Sequence, residues 1–196
     1  MRGFVTGLLV AVGMALSMTA AQASFIGDQF SQYYYYPDTS SPYGGYSATH
    51  PTFTAPFNGE LGVVEGVTSI DAYMNSNTLV VSFNTSLHNP TWANAAFNGL
   101  VLTLQGPSML NIAGIVILPG TNMAGFDASR VSFSSTTISL NFAGLSYECD
   151  TKVKIGFTFE PPTRAPEPAT IALVGGGLIA MGRGARRRRK KSAGVS

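Results

Sequence analysis

The sequence predicts an all-β chain, an antiparallel β-sandwich of about eight to nine strands with one apolar helical segment at each end. Three observations carry that prediction. Between Ser24 and Ala165, apolar and polar residues alternate with a period of two and nowhere sustain a helical period. The apolar positions are largely β-branched or aromatic, the residue types that fit a pleated, half-buried surface. The 22 Gly and 11 Pro, with many Asn and Ser, break the pattern into short runs, as turns do.

Taken in order, the first strand is expected at Phe30–Tyr36, where four consecutive Tyr place alternate rings on opposite faces, and the second at Pro51–Pro56. Val67–Met74, the turn Asn75-Ser76-Asn77 and Thr78–Phe83 read as a hairpin. A short helical turn is expected around Thr91–Phe97, after Pro90. Strands follow at Gly99–Leu104 and Gly114–Leu118. A second hairpin joins Arg130–Phe133 to Thr137–Phe142 through Ser134-Ser135-Thr136, with Ile138, Leu140 and Phe142 on one face. In the last strand, Lys152–Phe159, the residues Val153, Ile155, Phe157 and Phe159 point one way.

Composition narrows the function classes. Charged residues are only 11% of the chain, and the formal net charge of +2 is segregated. Seven of the twelve bases lie between Arg183 and Lys191. Residues 24–165 hold four bases (Arg130, Lys152, Lys154, Arg164) against nine acids, which leaves about −5. A nucleic-acid partner needs bases spread over the folded face, so none is expected. A single Cys excludes an internal disulfide framework and any multi-thiolate site, and with two His no metal site or cofactor is expected.

The two ends read as addresses. Arg2, an apolar run from Phe4 to Met18 and the small residues Ala21 and Ala23 make residues 1–23 a signal-peptide helix, cut after Ala23 by signal peptidase on the secretion machinery. The exported β-domain is expected over residues 24–160, followed by a Pro-rich linker, 161–165. Pro166-Glu167-Pro168 then precedes an apolar run from Ala169 to Met181 and the cluster Arg186, Arg187, Arg188, Arg189, Lys190 and Lys191. The strict apolar run is short for a membrane about 30 Å thick, but the span suffices if it starts near Pro168, ends near Ala185 and lets Arg183 snorkel. The basic cluster then stays cytoplasmic and the β-domain faces outward. Residues 192–196 form a short tail.

In fixed order, Pro166-Glu167-Pro168, the following Ala169-Thr170, one Gly-rich apolar helix and a terminal Arg cluster resemble the PEP-CTERM sorting signal of Gram-negative bacteria. The likeness covers the stretch 166–191. It implies recognition by an exosortase, an intramembrane Cys transpeptidase that cuts near the Pro-Glu-Pro and releases or transfers the protein. It further implies a transient stay in the inner membrane, a final place at the cell surface or outside the cell, and an association with exopolysaccharide and biofilm. Two Pro hold the tripeptide extended, a shape suited to a protease groove.

Chemistry-bearing residues are sparse within the body. His50 and His88 lie close to Pro51 and Pro90, as expected of solvent-facing loop positions, and no Gly-x-Ser-x-Gly accompanies Ser47. The acids are scattered and no pair is placed together as a glycosidase needs. Cys149 stands between Glu148 and Asp150, which disfavours a thiolate. The expected class is therefore a non-enzymatic exported protein. A secreted carbohydrate-active enzyme, or a glycan-binding module using Tyr33, Tyr34, Tyr35 and Tyr36, is the alternative with the same tail. Six of the eight Tyr fall between Tyr33 and Tyr46, and flat rings with a polar tip suit sugar faces.

Overall fold

The computed structural model describes residues 24–161. The expected signal-peptide helix, all but the first residue of the linker, the Pro-Glu-Pro motif, the membrane helix and the basic cluster lie outside the described residues. Eleven strands make two antiparallel sheets. In chain order they are β1 (Gln29–Tyr35), β2 (Tyr46–Ala48), β3 (Thr52–Thr54), β4 (Phe57–Val64), β5 (Thr68–Met74), β6 (Thr78–Thr85), β7 (Gly99–Leu104), β8 (Ile112–Ile117), β9 (Val131–Phe133), β10 (Thr137–Asn141) and β11 (Thr151–Phe159). One sheet runs β3-β1-β7-β10-β9 and the other β2-β4-β5-β6-β11-β8. The architecture is all-β and sandwich-like.

Period-two patterning explains the shared core. Leu100, Leu102, Ile138 and Leu140 of the five-stranded sheet bury against Ile70, Leu79, Val81, Phe83, Val153 and Ile155 of the six-stranded one, none more than 1% exposed. Each such side chain contributes on the order of 1.5–3 kcal/mol through burial. Phe25, ahead of β1, sets its ring edge-on to Phe30, Phe157 and Phe159, closing one end.

Both expected hairpins form. The β5–β6 turn is held by Asn75, whose Oδ1 accepts from the N–H groups of Asn77 (3.2 Å) and Thr78 (3.0 Å). In the β9–β10 turn Ser134 Oγ does the same for Thr136 and Thr137. Such local side-chain bonds are why Asn and Ser mark these turns.

Two strands exceed the eight to nine expected. β2 is three residues long, too short to carry a period. β4 (FNGELGVV) breaks its alternation at a bulge between Glu60 and Gly62. A Cβ on Gly62 would stand 2.5 Å from the Ser47 carbonyl oxygen and 2.6 Å from the Tyr46 ring, so the bulge admits only glycine. The expected helical turn at Thr91–Phe97 is absent. Trp92 N–H donates to the Leu145 carbonyl (2.9 Å) and Gly144 N–H to the Trp92 carbonyl (3.0 Å), so this backbone pairs with a distant segment instead of with itself. The described helical structure is a 3-10 turn, Ala128–Arg130, capped by Asp127. Among the described residues no helix is long and apolar enough to cross a membrane.

Candidate functional site: an aromatic cleft

A cleft of about 370 Å³ opens at one end of the sandwich, lined by residues from six separate chain segments. β1 contributes Tyr34, and Tyr36 follows it directly. The chain then folds back along β1. Asp38 Oδ1 accepts from the N–H (2.9 Å) and hydroxyl (2.6 Å) of Ser40, and Tyr43 N–H reaches the Tyr34 carbonyl (2.9 Å). That return brings the Tyr43 ring to 5.7 Å from the Tyr36 ring at an interplanar angle of 77°.

The β4–β5 turn supplies the opposite lip. Glu65 and Gly66 both have positive φ (50° and 68°), and Val67 N–H closes the turn on the Val64 carbonyl (3.1 Å). Glycine takes such a φ freely; Glu65 takes it at a steric cost. The exposed Glu65 carboxylate accepts a hydrogen bond from the Tyr43 hydroxyl.

Trp92 and Tyr147 form the inner wall. Pro90–Trp92 runs antiparallel to Leu145–Tyr147, with Thr91 and Ser146 sharing a hydroxyl contact of 2.8 Å. The two rings consequently stack at 4.4 Å and 13°. Tyr34 lies 5.4 Å from Trp92 and donates its hydroxyl to Asn98 Oδ1 (2.8 Å), while Asn98 Nδ2 donates to the Ala93 carbonyl (2.9 Å). Tyr147 and Thr68 share a hydrogen bond at 2.9 Å. The indole Nε1 of Trp92 is buried with no hydrogen-bond partner, the one such side-chain atom among the described residues. Leaving a buried donor unpaired costs about 1–3 kcal/mol.

Electrostatically the cleft is one-signed. Glu65 carries its one charged group, and none of the lining residues is Lys, Arg or His. Burial pushes the Tyr34 hydroxyl well above the usual phenol range, with Tyr147, Tyr43 and Tyr46 adding to it. The hydrogen bond to Glu65 raises Tyr43, with burial next. Burial raises Tyr147, and the Glu65 charge adds there too, so that charge is felt on both walls.

Compared with protein-family models, with curated proteins and with solved structures, the chain finds no match.

The sequence-predicted residues distribute as follows. Of the four consecutive Tyr, Tyr34 and Tyr36 line the cleft. Tyr33 and Tyr35 take the other face of β1, half-buried with their rings edge-on at 5.9 Å. His50 and His88 are exposed, and a His50 ring nitrogen sits 2.6 Å from the Glu60 carbonyl oxygen. No hydrogen bond joins Ser47 to His50 among the described residues. Glu60 and Asp71 face each other across β4 and β5, and Glu60 accepts hydroxyl bonds from Thr49 (2.5 Å) and Ser69 (2.7 Å). Cys149 is exposed, its thiol directed to Asn84 Oδ1 at 3.4 Å. Sequence reasoning missed Glu65, Trp92 and Tyr147 as site residues. The available signal was the single Trp of a chain with twenty other aromatic Phe and Tyr, placed between Pro90 and a run of small residues.

Proposed function

We propose that the chain is an exported, non-catalytic surface or matrix protein, sorted by an exosortase and displaying a β-domain that acts as a binding module in association with exopolysaccharide. The observation that carries the sorting half is the fixed order at the C-terminus: Pro166-Glu167-Pro168, one short apolar run, then Arg186 to Lys191. The N-terminal Arg2, apolar run and Ala21-x-Ala23 agree with it, since a chain sorted at the inner membrane must first enter the secretory route. In this reading the apolar run holds the chain in the membrane, the basic cluster fixes the C-terminus in the cytoplasm, and cleavage near Pro166–Pro168 frees the folded domain. The binding half draws on the aromatic cleft, a concave site whose lining is aromatic and polar in about equal measure.

The mass of the mature protein tests the sorting. Loss of residues 1–23 and of everything after about Pro168 is the expected result. Replacing Glu167, or deleting Arg186 to Lys191, leaves the fold intact and alters processing or topology. An intact chain recovered from the cytosol overturns the reading. A panel of chromogenic glycosides and polysaccharides tests the absence of catalysis, and turnover of any of them replaces the binding module with an enzyme.

A further inference from the structure

We propose that the aromatic cleft binds a small organic cation, a quaternary ammonium or protonated amine seated against the rings of Tyr36 and Tyr43 and paired with Glu65. This names the ligand class of the cleft and rests on the reading of the β-domain as a binding module.

Charge selects the sign of the ligand. The only charged lining side chain is the Glu65 carboxylate, and the surrounding domain is itself net negative. An anionic ligand would meet a carboxylate and electron-rich ring faces with no base to offset them. A cation meets favourable interactions from both.

Shape selects the kind of cation. The Tyr36 and Tyr43 rings stand 5.7 Å apart at 77°, a corner rather than a flat platform. The edge of one ring meets the face of the other, so the pair makes an angled wall against which a compact ammonium group can sit, and not the flat platform on which a pyranose stacks. The cleft volume of about 370 Å³ lies near the lower end of ligand cavities and suits one head group with a short substituent.

Hydrogen bonding points the same way. Three of the four tyrosine hydroxyls lining the cleft are already engaged, Tyr34 with Asn98, Tyr43 with Glu65 and Tyr147 with Thr68, and the unpaired Trp92 Nε1 is buried in the wall. A neutral sugar would have to displace these bonds. A quaternary ammonium asks for none of them, only for ring faces and one carboxylate oxygen.

Trp92 is the only Trp of the chain and lies in this wall, so its fluorescence reports on the site directly. The full chain in a polyoxyethylene detergent, which carries neither sugar nor ammonium, is titrated with choline, with its neutral isostere 3,3-dimethylbutan-1-ol, with glucosamine and with glucose. Choline is expected to give a saturable change, the isostere to bind at least about tenfold more weakly, and glucosamine to bind ahead of glucose. Glu65→Gln and Tyr36→Leu are each expected to weaken choline about tenfold or more, with the far-ultraviolet circular dichroism unchanged. Should a variant fail to fold, the comparison of choline with its isostere on the unaltered chain decides alone. Equal binding of the two overturns the cation assignment. Binding of neutral saccharides without binding of choline overturns it too but leaves the binding module standing; no response to any of the four overturns both.

Discussion

Replacing Gln32 with Leu tests how the two sheets are held in register beside the cleft. Gln32 is 4% exposed and points inward from β1. Its Nε2 donates to the carbonyls of His50 and Leu61, both at 2.9 Å, and its Oε1 accepts from the Tyr46 hydroxyl at 2.7 Å. Leu fills nearly the same volume, so no cavity term enters. The Leu61 carbonyl keeps bonds from the N–H groups of Thr49 and His50, so it is not orphaned. The Tyr46 hydroxyl, in a side chain 6% exposed, is left without its acceptor. That orphan costs about 1–3 kcal/mol, and the lost His50 bond about 1 more, for roughly 2–4 kcal/mol in all. With about 2.1 cal/mol/K of unfolding entropy per residue over some 140 residues, the melting temperature falls by roughly 7–14 °C. Urea unfolding followed by Trp92 fluorescence measures the cost. Tyr46→Phe removes the orphan, so Gln32→Leu in that background is expected to cost about 1–3 kcal/mol less. A cost below about 0.5 kcal/mol, or simple additivity of the two changes, refutes the reasoning.

Further outcomes follow from close approaches and charges. Gly99→Ala drives a Cβ into the Leu140 carbonyl oxygen of the paired strand, so it is expected to cost more than about 3 kcal/mol or to prevent folding. Gly44→Ala, with nothing within 4 Å, is expected to stay within about 0.5 kcal/mol, and the same urea curves separate the two. Burial and then the Glu60 charge raise Asp71, so its contribution is fully present below its unfolded value and is lost as pH rises through its folded one. Asp71→Asn is therefore expected to raise the melting temperature at pH 7 and leave it unchanged near pH 3; no gain at pH 7 refutes this. Glu60 has the opposite sign. Thr49 and then Ser69 hold it below 4.5, so its contribution fades as pH falls through the folded value, and removing both hydroxyls moves the acid transition upward. Cys149 is exposed, so it is expected to react fully with Ellman's reagent in the native chain, and Cys149→Ser to leave the urea midpoint unchanged.

Strands were legible where burial imposes a period. In β11, Val153 and Ile155 are fully buried and Lys152 and Lys154 are not, as alternation requires. The reading ends at the bulge between Thr158 and Phe159, where the register shifts. β4 hid because Gly59 and Gly62 leave gaps in its pattern, and a bulge moves the following side chains to the other face. The cleft was half legible. The Tyr run marked the right neighbourhood, but alternation alone cannot say which face of β1 meets a cavity. Glu65, Trp92 and Tyr147 come together through contacts between distant segments: Tyr34 and Asn98 are 64 residues apart, Thr91 and Ser146 are 55. No local pattern encodes such pairings. The expected helix at Thr91–Phe97 failed for the same reason, since its backbone groups found partners far along the chain.

The cleft and the protection of an open sheet edge are one device. β3 pairs only with Gln29, Ser31 and the Phe30 between them, yet β1 continues to Tyr35. The remaining edge would present unpaired N–H and C=O groups, a template for pairing with another chain. Residues 41–51 fold back to cover it: Gln32 N–H reaches the Pro51 carbonyl, Tyr36 N–H the Ser41 carbonyl, and the Tyr34 carbonyl accepts from Tyr43. The segment that satisfies this edge is the one that sets the Tyr43 ring against Tyr36. On the far wall, the ladder of Pro90–Trp92 with Leu145–Tyr147 likewise both pairs loop backbone and stacks Trp92 on Tyr147. The rings are therefore carried on hydrogen-bonded backbone rather than on free loops, so little ordering remains to oppose binding. Side-chain changes at Tyr36 or Glu65 should then act on the ligand and spare the fold, while changes that break the edge cover should damage both together.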